Sequence, residues 1–356
     1  MRHKTKSSVK PASGIRGIAE ALGISVATVH RALHNTGRIS QDTRARVLRM
    51  AERVGYKPNS SARDLRLNRH FRVSVHFPAT IAAFFQALRL GIEQGAEPFR
   101  SVIDIEFHSY VRAAGEAQVS VLAAIEAGVN GIITVPPNTA EMSAMMQRAQ
   151  EKGIPIICVS TDAPESKRLT AVTAHPQCCG ALAAEVLGGS MRRRSQVAIL
   201  AGDLVNLNQT EKIRGFRRML MEAAPSTTVA AVLESHDDPR AAAVAIRELF
   251  QALPKLGGLY VSSANSISAI EVLRDLGRAS EISIVTTDLF PELVPFLRDG
   301  TIRATVYQCP ETQGSVAIQA LYRYLVEGVV PPPSIGVIPQ LIMRGNLDLY
   351  LRNSEL

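Results

Sequence analysis

Tryptophan is absent from this 356-residue sequence, cysteine is scarce, and aromatic residues make up only 5% of it. The four cysteines are Cys158, Cys178, Cys179 and Cys309. Their spacing fits neither the paired ligands of a zinc site nor the disulfide framework of a small secreted domain. We therefore expect buried, reduced thiols in a cytoplasmic protein, with no metal and no cofactor.

Long apolar runs are missing as well. No segment reaches the roughly 18 consecutive apolar residues that a membrane-spanning helix requires. The basic, polar start of the chain also lacks the apolar segment of a secretory signal. We expect no membrane partner, and we predict that residues 1–14 form a disordered arm.

Sequence motifs of common catalytic sites are not found. There is no Walker A loop, no Gly-x-Gly-x-x-Gly after the first predicted strand, no Gly-x-Ser-x-Gly elbow and no His-Glu-x-x-His helix. The paired carboxylates Asp237-Asp238 lie between His236 and Pro239, a context that indicates a loop and a helix cap. We therefore do not expect an enzyme.

Positive charge is concentrated in the first fifth of the chain. Residues 1–70 contain fifteen Lys and Arg against four Asp and Glu, a net charge of +11. Residues 71–356 contain twenty-five against twenty-eight, a net charge of −3. This asymmetry predicts a small domain that approaches phosphate and a larger one that does not.

The segment from Gly23 to Leu33 has the features of a helix that follows a tight turn. Gly23 permits a positive φ, and Ser25 is a favourable N-cap. Val29, Ala32 and Leu33 fall at helical spacing on one buried face. Taken alone, these residues fit equally well an ordinary capped helix in a small helical bundle.

The other face of this helix suggests DNA. Val26 and Ala27 lie in its first turn, and His30 and Arg31 make its far end basic. Small apolar side chains can contact a thymine methyl in the major groove, and Arg can reach guanine or phosphate. We therefore predict a recognition helix.

Two further helices surround it. The first covers residues 16–21, and the second follows the predicted N-cap Ser40 and stops at Gly55. Their expected apolar faces consist of Ile18, Ala19, Leu22, Val47, Leu48, Ala51 and Val54. A short helix at 59–66 follows, in which Leu65 either wedges between minor-groove base steps or packs as part of a linker.

From residue 71 onwards, predicted strands alternate with helices. The strands are expected at 73–77, 102–108, 131–135, 154–159, 197–200, 228–233, 258–261 and 282–286. Such alternation predicts an α/β fold with parallel sheets covered by helices, here in two lobes. Ligands of open α/β sheets bind beyond the carboxyl ends of strands, where Asp162, Asn265, Asp288 and Gln308 are candidates.

The chain resembles bacterial transcriptional regulators of the lactose-repressor (LacI) family from about Ile15 onwards. The segments that carry the resemblance are Ile18-Ala19, Gly23 to Leu33, Thr43-Arg44, Val47-Leu48, Gly55 to Asn59, Ala62 and Leu65. The resemblance implies that Val26 and Ala27 contact bases and that Leu65 opens a central base step. The DNA-binding residues it implies are Ser25, Val26, Ala27, Thr28, His30, Arg31, His34, Asn59, Ala62 and Leu65. His30 stands where the family usually has Ser.

The remainder resembles the family's effector domain, which shares its two-lobed architecture with periplasmic sugar-binding proteins. Phe84-Phe85 before Gly91-Ile92-Glu93 is similar to a family phrase that lines the effector cleft. Lys212 lies three residues before Gly215-Phe216, where the family often has Arg, and Asn265 precedes Ser266 rather than Asp. The effector-binding residues that the resemblance implies are Phe84, Phe85, Asp162, Lys212, Asn265, Asp288 and Gln308.

These features predict a helix-turn-helix domain at 15–58, a hinge helix and linker at 59–70, and an effector-binding and dimerisation domain at 71–356. The lobes of that domain are expected at about 71–173 with 309–335 and at about 174–308 with 336–356. The expected function is sequence-specific repression from a pseudo-palindromic double-stranded operator by a homodimer, controlled by a carbohydrate effector. An activator, an effector-independent regulator and a solute-binding transport protein are the alternatives.

Overall fold

A computed structural model describes residues 14–34, 39–54, 70–110, 115–191, 194–263 and 266–354. The chain divides into two compact units, Met1–Asn68 and Arg69–Leu356. Their boundary falls within the segment predicted as hinge and linker. Most of the predicted arm, and of the hinge with Asn59, Ala62 and Leu65, lies outside the described residues. Within those residues, no helix is both long and apolar enough to cross a membrane.

The small unit contains three described helices. They are α1 (Ile15–Leu22), α2 (Val26–His34) and α3 (Gln41–Arg53). Its core consists of Ile18, Ala19, Val29, Ala32, Val47 and Ala51, all buried. The prediction for Leu48 was wrong. Its side chain is 45% exposed, because Val47 and Ala51 occupy the inward face of α3.

The large unit contains two six-stranded sheets. The first has the strand order β11-β5-β4-β3-β1-β2, with all neighbours parallel. Its strands are β1 (Phe71–Pro78), β2 (Ile103–Tyr110), β3 (Gly131–Thr134), β4 (Ile156–Val159), β5 (Thr170–Ala174) and β11 (Ser334–Val337). In this sheet β3, β4 and β5 are buried along their whole length, as expected for parallel strands covered on both faces.

The second sheet has the order β12-β10-β9-β8-β6-β7, and only the β10–β12 pair is antiparallel. Its strands are β6 (Gln196–Ala201), β7 (Thr228–Glu234), β8 (Gly258–Val261), β9 (Ser283–Thr287), β10 (Ala304–Tyr307) and β12 (Gln340–Met343). The predicted α/β class with parallel sheets is confirmed.

Helices connect these strands, and one more follows the last strand. They are α4 (Ala82–Ala96), α5 (Glu116–Glu126), α6 (Ala140–Glu151), α7 (Pro176–Ser190), α8 (Leu207–Ala223), α9 (Pro239–Ala252), α10 (Ile267–Asp275), α11 (Val294–Arg298), α12 (Pro310–Glu327) and α13 (Leu347–Ser354). The prediction missed β5, β10, β11 and β12, together with α12 and α13. The strand β5, Thr-Ala-Val-Thr-Ala, is buried but holds too few large apolar side chains to stand out in the sequence.

The chain crosses between the two sheets three times. It crosses after β5, after β10 and between β11 and β12. The third crossing follows Val337, two residues beyond the predicted position, because β11 continues to that residue. These strands lie at the same side of their sheets, so the lobes are tied at one edge, whereas β2 and β7 form the opposite edge.

Glycines allow close helix pairs in both lobes. In α7, Gly180 is buried, and an added Cβ would overlap the carbonyl oxygen of Lys212 on α8. Reciprocally, a Cβ on Gly215 of α8 would overlap the backbone of Gln177. This contact brings the backbone of α8, which carries Lys212, directly against α7.

We expect Gly180→Ala to lower the free energy of unfolding by about 3 kcal/mol, because the added methyl has no room between two backbones. Gly189→Ala is the matched control in the same helix, since nothing lies within 4 Å of a Cβ at that position. It should raise stability by up to about 1 kcal/mol through helix propensity. Urea denaturation followed by circular dichroism measures both, and equal effects would contradict this packing.

Candidate DNA-binding head and effector cleft

The turn between α1 and α2 has the predicted geometry. Gly23 adopts φ 65°, and its backbone N–H bonds to the end of α1. The Ser25 hydroxyl accepts a hydrogen bond from the Thr28 backbone N–H at 3.1 Å. The predicted turn and N-cap are therefore confirmed, and they set the direction in which α2 leaves α1.

The solvent face of α2 carries the residues predicted to contact DNA. Val26 is 47% exposed, and Ala27 and Arg31 are exposed too. The Arg31 Nε donates a hydrogen bond to the Ala27 carbonyl oxygen at 3.2 Å, which holds the guanidinium along the helix. The side chains of His30 and His34 lie outside the described residues.

A cavity lies between the two lobes, beyond the carboxyl ends of their strands. Each of its polar side chains follows a strand: Ser160 and Thr161 follow β4, Asn206, Asn208, Gln209 and Lys212 follow β6, Asp237 follows β7, and Gln308 follows β10. Its apolar wall is formed by Ile81, Phe84, Phe85 and Val135. This effector cleft encloses about 50 Å³, which holds only a few water molecules.

Lys212 is the cation of the cleft. It is 1% exposed, and its Nζ donates a hydrogen bond to the Ser262 carbonyl oxygen at 3.0 Å. Burial lowers the pKa of Lys212, whereas the negative charges of Asp288 and Asp237 oppose that shift. A buried charge is costly unless it is paired, and these two carboxyls supply the opposite charge.

Asp288 lies directly behind Gln308. Its carboxylate accepts hydrogen bonds from the Gln308 backbone N–H at 2.9 Å and from Gln308 Nε2 at 2.6 Å. The Gln308 carbonyl oxygen in turn accepts from Gln313 Nε2 at 2.8 Å. Asp288 therefore fixes the orientation of Gln308 instead of lining the cleft itself.

A hydrogen bond joins the lobes across the cleft. Asn208 Nδ2 donates to the Ser160 carbonyl oxygen at 2.6 Å. The Oδ1 atom of Asn208 and the hydroxyl of Thr161 are buried and have no hydrogen-bond partner within the described part of the chain. Unpaired buried polar atoms are costly, so these two atoms are suited to bind a polar ligand.

Four of the seven predicted effector residues line the cleft: Phe84, Phe85, Lys212 and Gln308. Asp162 does not line it. Its carboxylate pairs with the Arg168 guanidinium, with 2.8 Å between Arg168 Nη2 and Asp162 Oδ2. Asn265 lies outside the described residues. Whether any of these residues binds an effector stays a prediction.

Asn206, Asn208, Gln209 and Asp237 line the cleft and were not predicted. The first three follow the carboxyl end of β6, so the rule that identified the other candidates also applied to them. Asp237 had been assigned to a loop beside a helix cap. The cap is confirmed for Asp238, whose side chain accepts from two backbone N–H groups of α9, but Asp237 itself is buried in the cleft.

Asp203, Glu234 and His236 are the described residues whose arrangement could hold a metal ion, since one ligand atom from each lies within 4.8 Å of the others. His236 Nδ1 lies 3.4 Å from Glu234 Oε1, and the same oxygen accepts from the Leu204 backbone N–H at 2.7 Å. Because His236 Nδ1 and the Leu204 backbone N–H already contact Glu234 Oε1, we assign no metal to this cluster.

Burial raises the pKa of Asp288 from 3.8 to about 6, although Lys212 and Gln308 partly oppose the shift. Between these values the unfolded chain loses the proton and the folded chain keeps it. Raising the pH from 4 to 6 should therefore lower the free energy of unfolding by about 2 kcal/mol through this group. In Asp288→Asn, urea denaturation at several pH values should show an unfolding free energy without this decrease. Exposed Asp275→Asn is the control, and parallel profiles for wild type and Asp288→Asn would contradict the assignment.

Comparisons with known proteins agree with this architecture. Residues 14–59 match the family described as bacterial regulatory proteins, lacI family, and residues 73–328 match the periplasmic binding protein domain. Catabolite control protein A of Priestia megaterium is 24% identical over 92% of this chain and 97% of its own length. The transcriptional regulator DegA of Bacillus subtilis is 29% identical over 59% of this chain and 61% of its own length.

Among solved structures, GanP, a glucose-galactose binding protein from Geobacillus stearothermophilus, covers 78% of this chain and 99% of its own with a TM-score of 0.73 and 25% identity. The relatives are thus transcriptional regulators and binding proteins. The match over 73–328 covers more than half of the chain, so this protein belongs to the periplasmic binding protein domain family, and with its lacI-family region at 14–59 it is a DNA-binding transcriptional regulator.

Proposed function

We propose that this regulator is a repressor whose affinity for an operator is controlled by a sugar bound in the effector cleft. The observation that carries the proposal is the composition of the cleft, where amide and hydroxyl groups from both lobes surround a small space beside Phe84 and Phe85. A sugar presents hydroxyls at its edges and apolar C–H groups on its ring faces. The cleft offers partners for both.

The charges of the cleft favour an uncharged sugar. Lys212 and Asp237 line it with opposite charges, and Asp288 lies behind Gln308. A phosphorylated or acidic sugar would face these carboxyls, and Lys212 is the one buried cation among the described lining residues to offset its charge. Neutral hydroxyls can instead accept from Lys212 and donate to the unpaired oxygens of Asn208 and Thr161.

The DNA-binding part of the proposal is supported by the exposed first turn of α2 and by the net charge of +11 in residues 1–70. Two such heads in a homodimer would bind the two halves of a pseudo-palindromic operator. The sugar is bound and released unchanged. A change in the angle between the lobes would alter the spacing of the paired heads.

Other functions are separable by experiment. An activator or an effector-independent regulator would bind DNA but differ in transcription assays or in the response to sugar. A transport protein would bind sugar and no DNA. One relative, the ribose import binding protein RbsB of Bacillus subtilis, aligns with 74% of this chain, but the basic helix-turn-helix head favours a regulator.

Arg31→Ala should weaken operator binding by roughly tenfold, because the variant loses a guanidinium that reaches a base or a phosphate. Arg53→Ala, which removes another exposed guanidinium from the end of α3, is the matched control. Fluorescence anisotropy with operator and with random duplex, at several salt concentrations, measures the effect. A loss on both duplexes indicates a phosphate contact, and a loss on the operator alone indicates a base contact. Unchanged binding would contradict a role for Arg31.

Lys212→Met should lower sugar affinity by at least roughly tenfold, because a buried charged donor is replaced by an apolar chain of similar length. Exposed Lys255→Met is the control. In the wild type, a sugar identified by thermal shift should change operator affinity by roughly 5- to 150-fold. Lys212→Met should bind the operator but no longer respond at that sugar concentration. A bound sugar that leaves wild-type operator affinity unchanged would contradict the proposed control.

A further inference from the structure

A second, larger cavity adjoins the effector cleft. Its volume is about 720 Å³, and Val135 and Asn206 line both spaces. It lies beyond the ends of β1, β2 and β3 in one lobe and beside the loop after β6 in the other. We call it the mouth cavity, because it lies near the edge of the lobes opposite the three chain crossings.

The walls of the mouth cavity are mainly apolar. They include Pro78, Tyr110, Pro137, Val119 and Val205. Val119 is 67% exposed and Val205 is 49% exposed, so each lobe contributes an exposed aliphatic side chain. The hydroxyl of Tyr110 donates to a backbone carbonyl oxygen at 2.6 Å, which leaves its ring as an apolar surface.

Five described polar side chains line this cavity, Gln118, Thr139, Glu141, Asp203 and Asn206, and three of them bond to their own surroundings. Gln118 Nε2 donates to the Thr139 hydroxyl at 3.3 Å, and the same hydroxyl accepts from the backbone of α6. Asp203 Oδ1 accepts from the Val205 backbone N–H at 3.0 Å. These pairings favour an apolar occupant over a second sugar ring, which would need free polar partners.

We propose that the effector is a glycoside whose sugar ring binds in the cleft and whose apolar substituent occupies the mouth cavity. The inference rests on the proposed function. The cleft supplies hydrogen-bonding groups, and its volume of about 50 Å³ leaves no room beside a sugar ring for a further substituent. The mouth cavity has apolar walls, and its volume is typical of ligand pockets. Val135 and Asn206 line both spaces, so the cleft and the mouth cavity lie within reach of one molecule.

The test compares free sugars, methyl glycosides and phenyl glycosides of both anomers, for D-glucose, D-galactose and D-ribose. Isothermal titration of the full-length chain measures their affinities. For a sugar that binds, we expect one phenyl glycoside to bind roughly tenfold tighter than the matching methyl glycoside. The phenyl ring would be transferred from water to the apolar wall of the mouth cavity. The methyl glycoside controls for the glycosidic bond.

Paired variants locate the contact. Val119→Asn combined with Val205→Asn should abolish the gain from the phenyl group and leave methyl glycoside affinity unchanged. Val244→Asn is the matched control, because Val244 is a 52% exposed helical valine that lines neither cavity. It should retain the gain.

Three results would overturn the inference. Sugars that bind without any advantage for a phenyl glycoside would exclude the apolar substituent and leave the proposed sugar response intact. A phenyl advantage that persists in the double variant would place the substituent elsewhere. Failure of every sugar and glycoside to bind would overturn the proposed function and this inference with it.

Discussion

The large unit depends on one constraint, which is that the three chain crossings between its two lobes all lie along one edge. The three crossings follow β5, β10 and β11. β5 and β11 are neighbours at one edge of the first sheet, and β10 is the neighbour of the edge strand β12 in the second. Lobes tied in this way can rotate about that edge but cannot slide freely. Because the strands of both sheets end towards the space between them, residues from either lobe contribute to one cleft. The lobe angle and the shape of the cleft therefore change together.

The cleft contains buried polar side chains, whereas a hydrophobic core would have apolar side chains in their place. Lys212 is fully enclosed, donates a hydrogen bond to the Ser262 carbonyl oxygen and has two carboxyls to balance its charge. Burying a lysine lowers stability compared with an apolar side chain of the same volume. The close contact at Gly180 brings the backbone at Lys212 against α7, so the lysine is positioned by rigid elements. Such an arrangement fits a side chain kept for binding.

Much of the architecture follows from local sequence. Gly23 and Ser25 define the turn of the head because only a few residue types favour a positive φ or an N-cap. The alternation of strands and helices predicts the parallel sheets. In contrast, β5 escaped prediction because threonine and alanine carry little hydropathy, and its burial depends on neighbours distant in sequence. For Asp162, too, the sequence could not predict the surroundings of the side chain, because its pairing with Arg168 depends on the path of the intervening loop. Asn206, Asn208 and Gln209 could have been predicted. They follow the carboxyl end of β6, and polar residues in such positions were the candidates that included Gln308.

The small volume of the cleft bears directly on control by a ligand. A ligand shifts a conformational equilibrium only if its affinities for the two conformations differ. With about 50 Å³ between the lobes, a sugar ring cannot enter until the lobes rotate apart or the lining side chains rearrange. The Asn208–Ser160 hydrogen bond opposes that opening, and the unpaired oxygens of Asn208 and Thr161 become available to the sugar once it occurs. The arrangement with the small cleft and the sugar-bound arrangement must therefore have different affinities for the same ligand. In this way the packing of the cleft meets the thermodynamic requirement for a sugar-dependent switch.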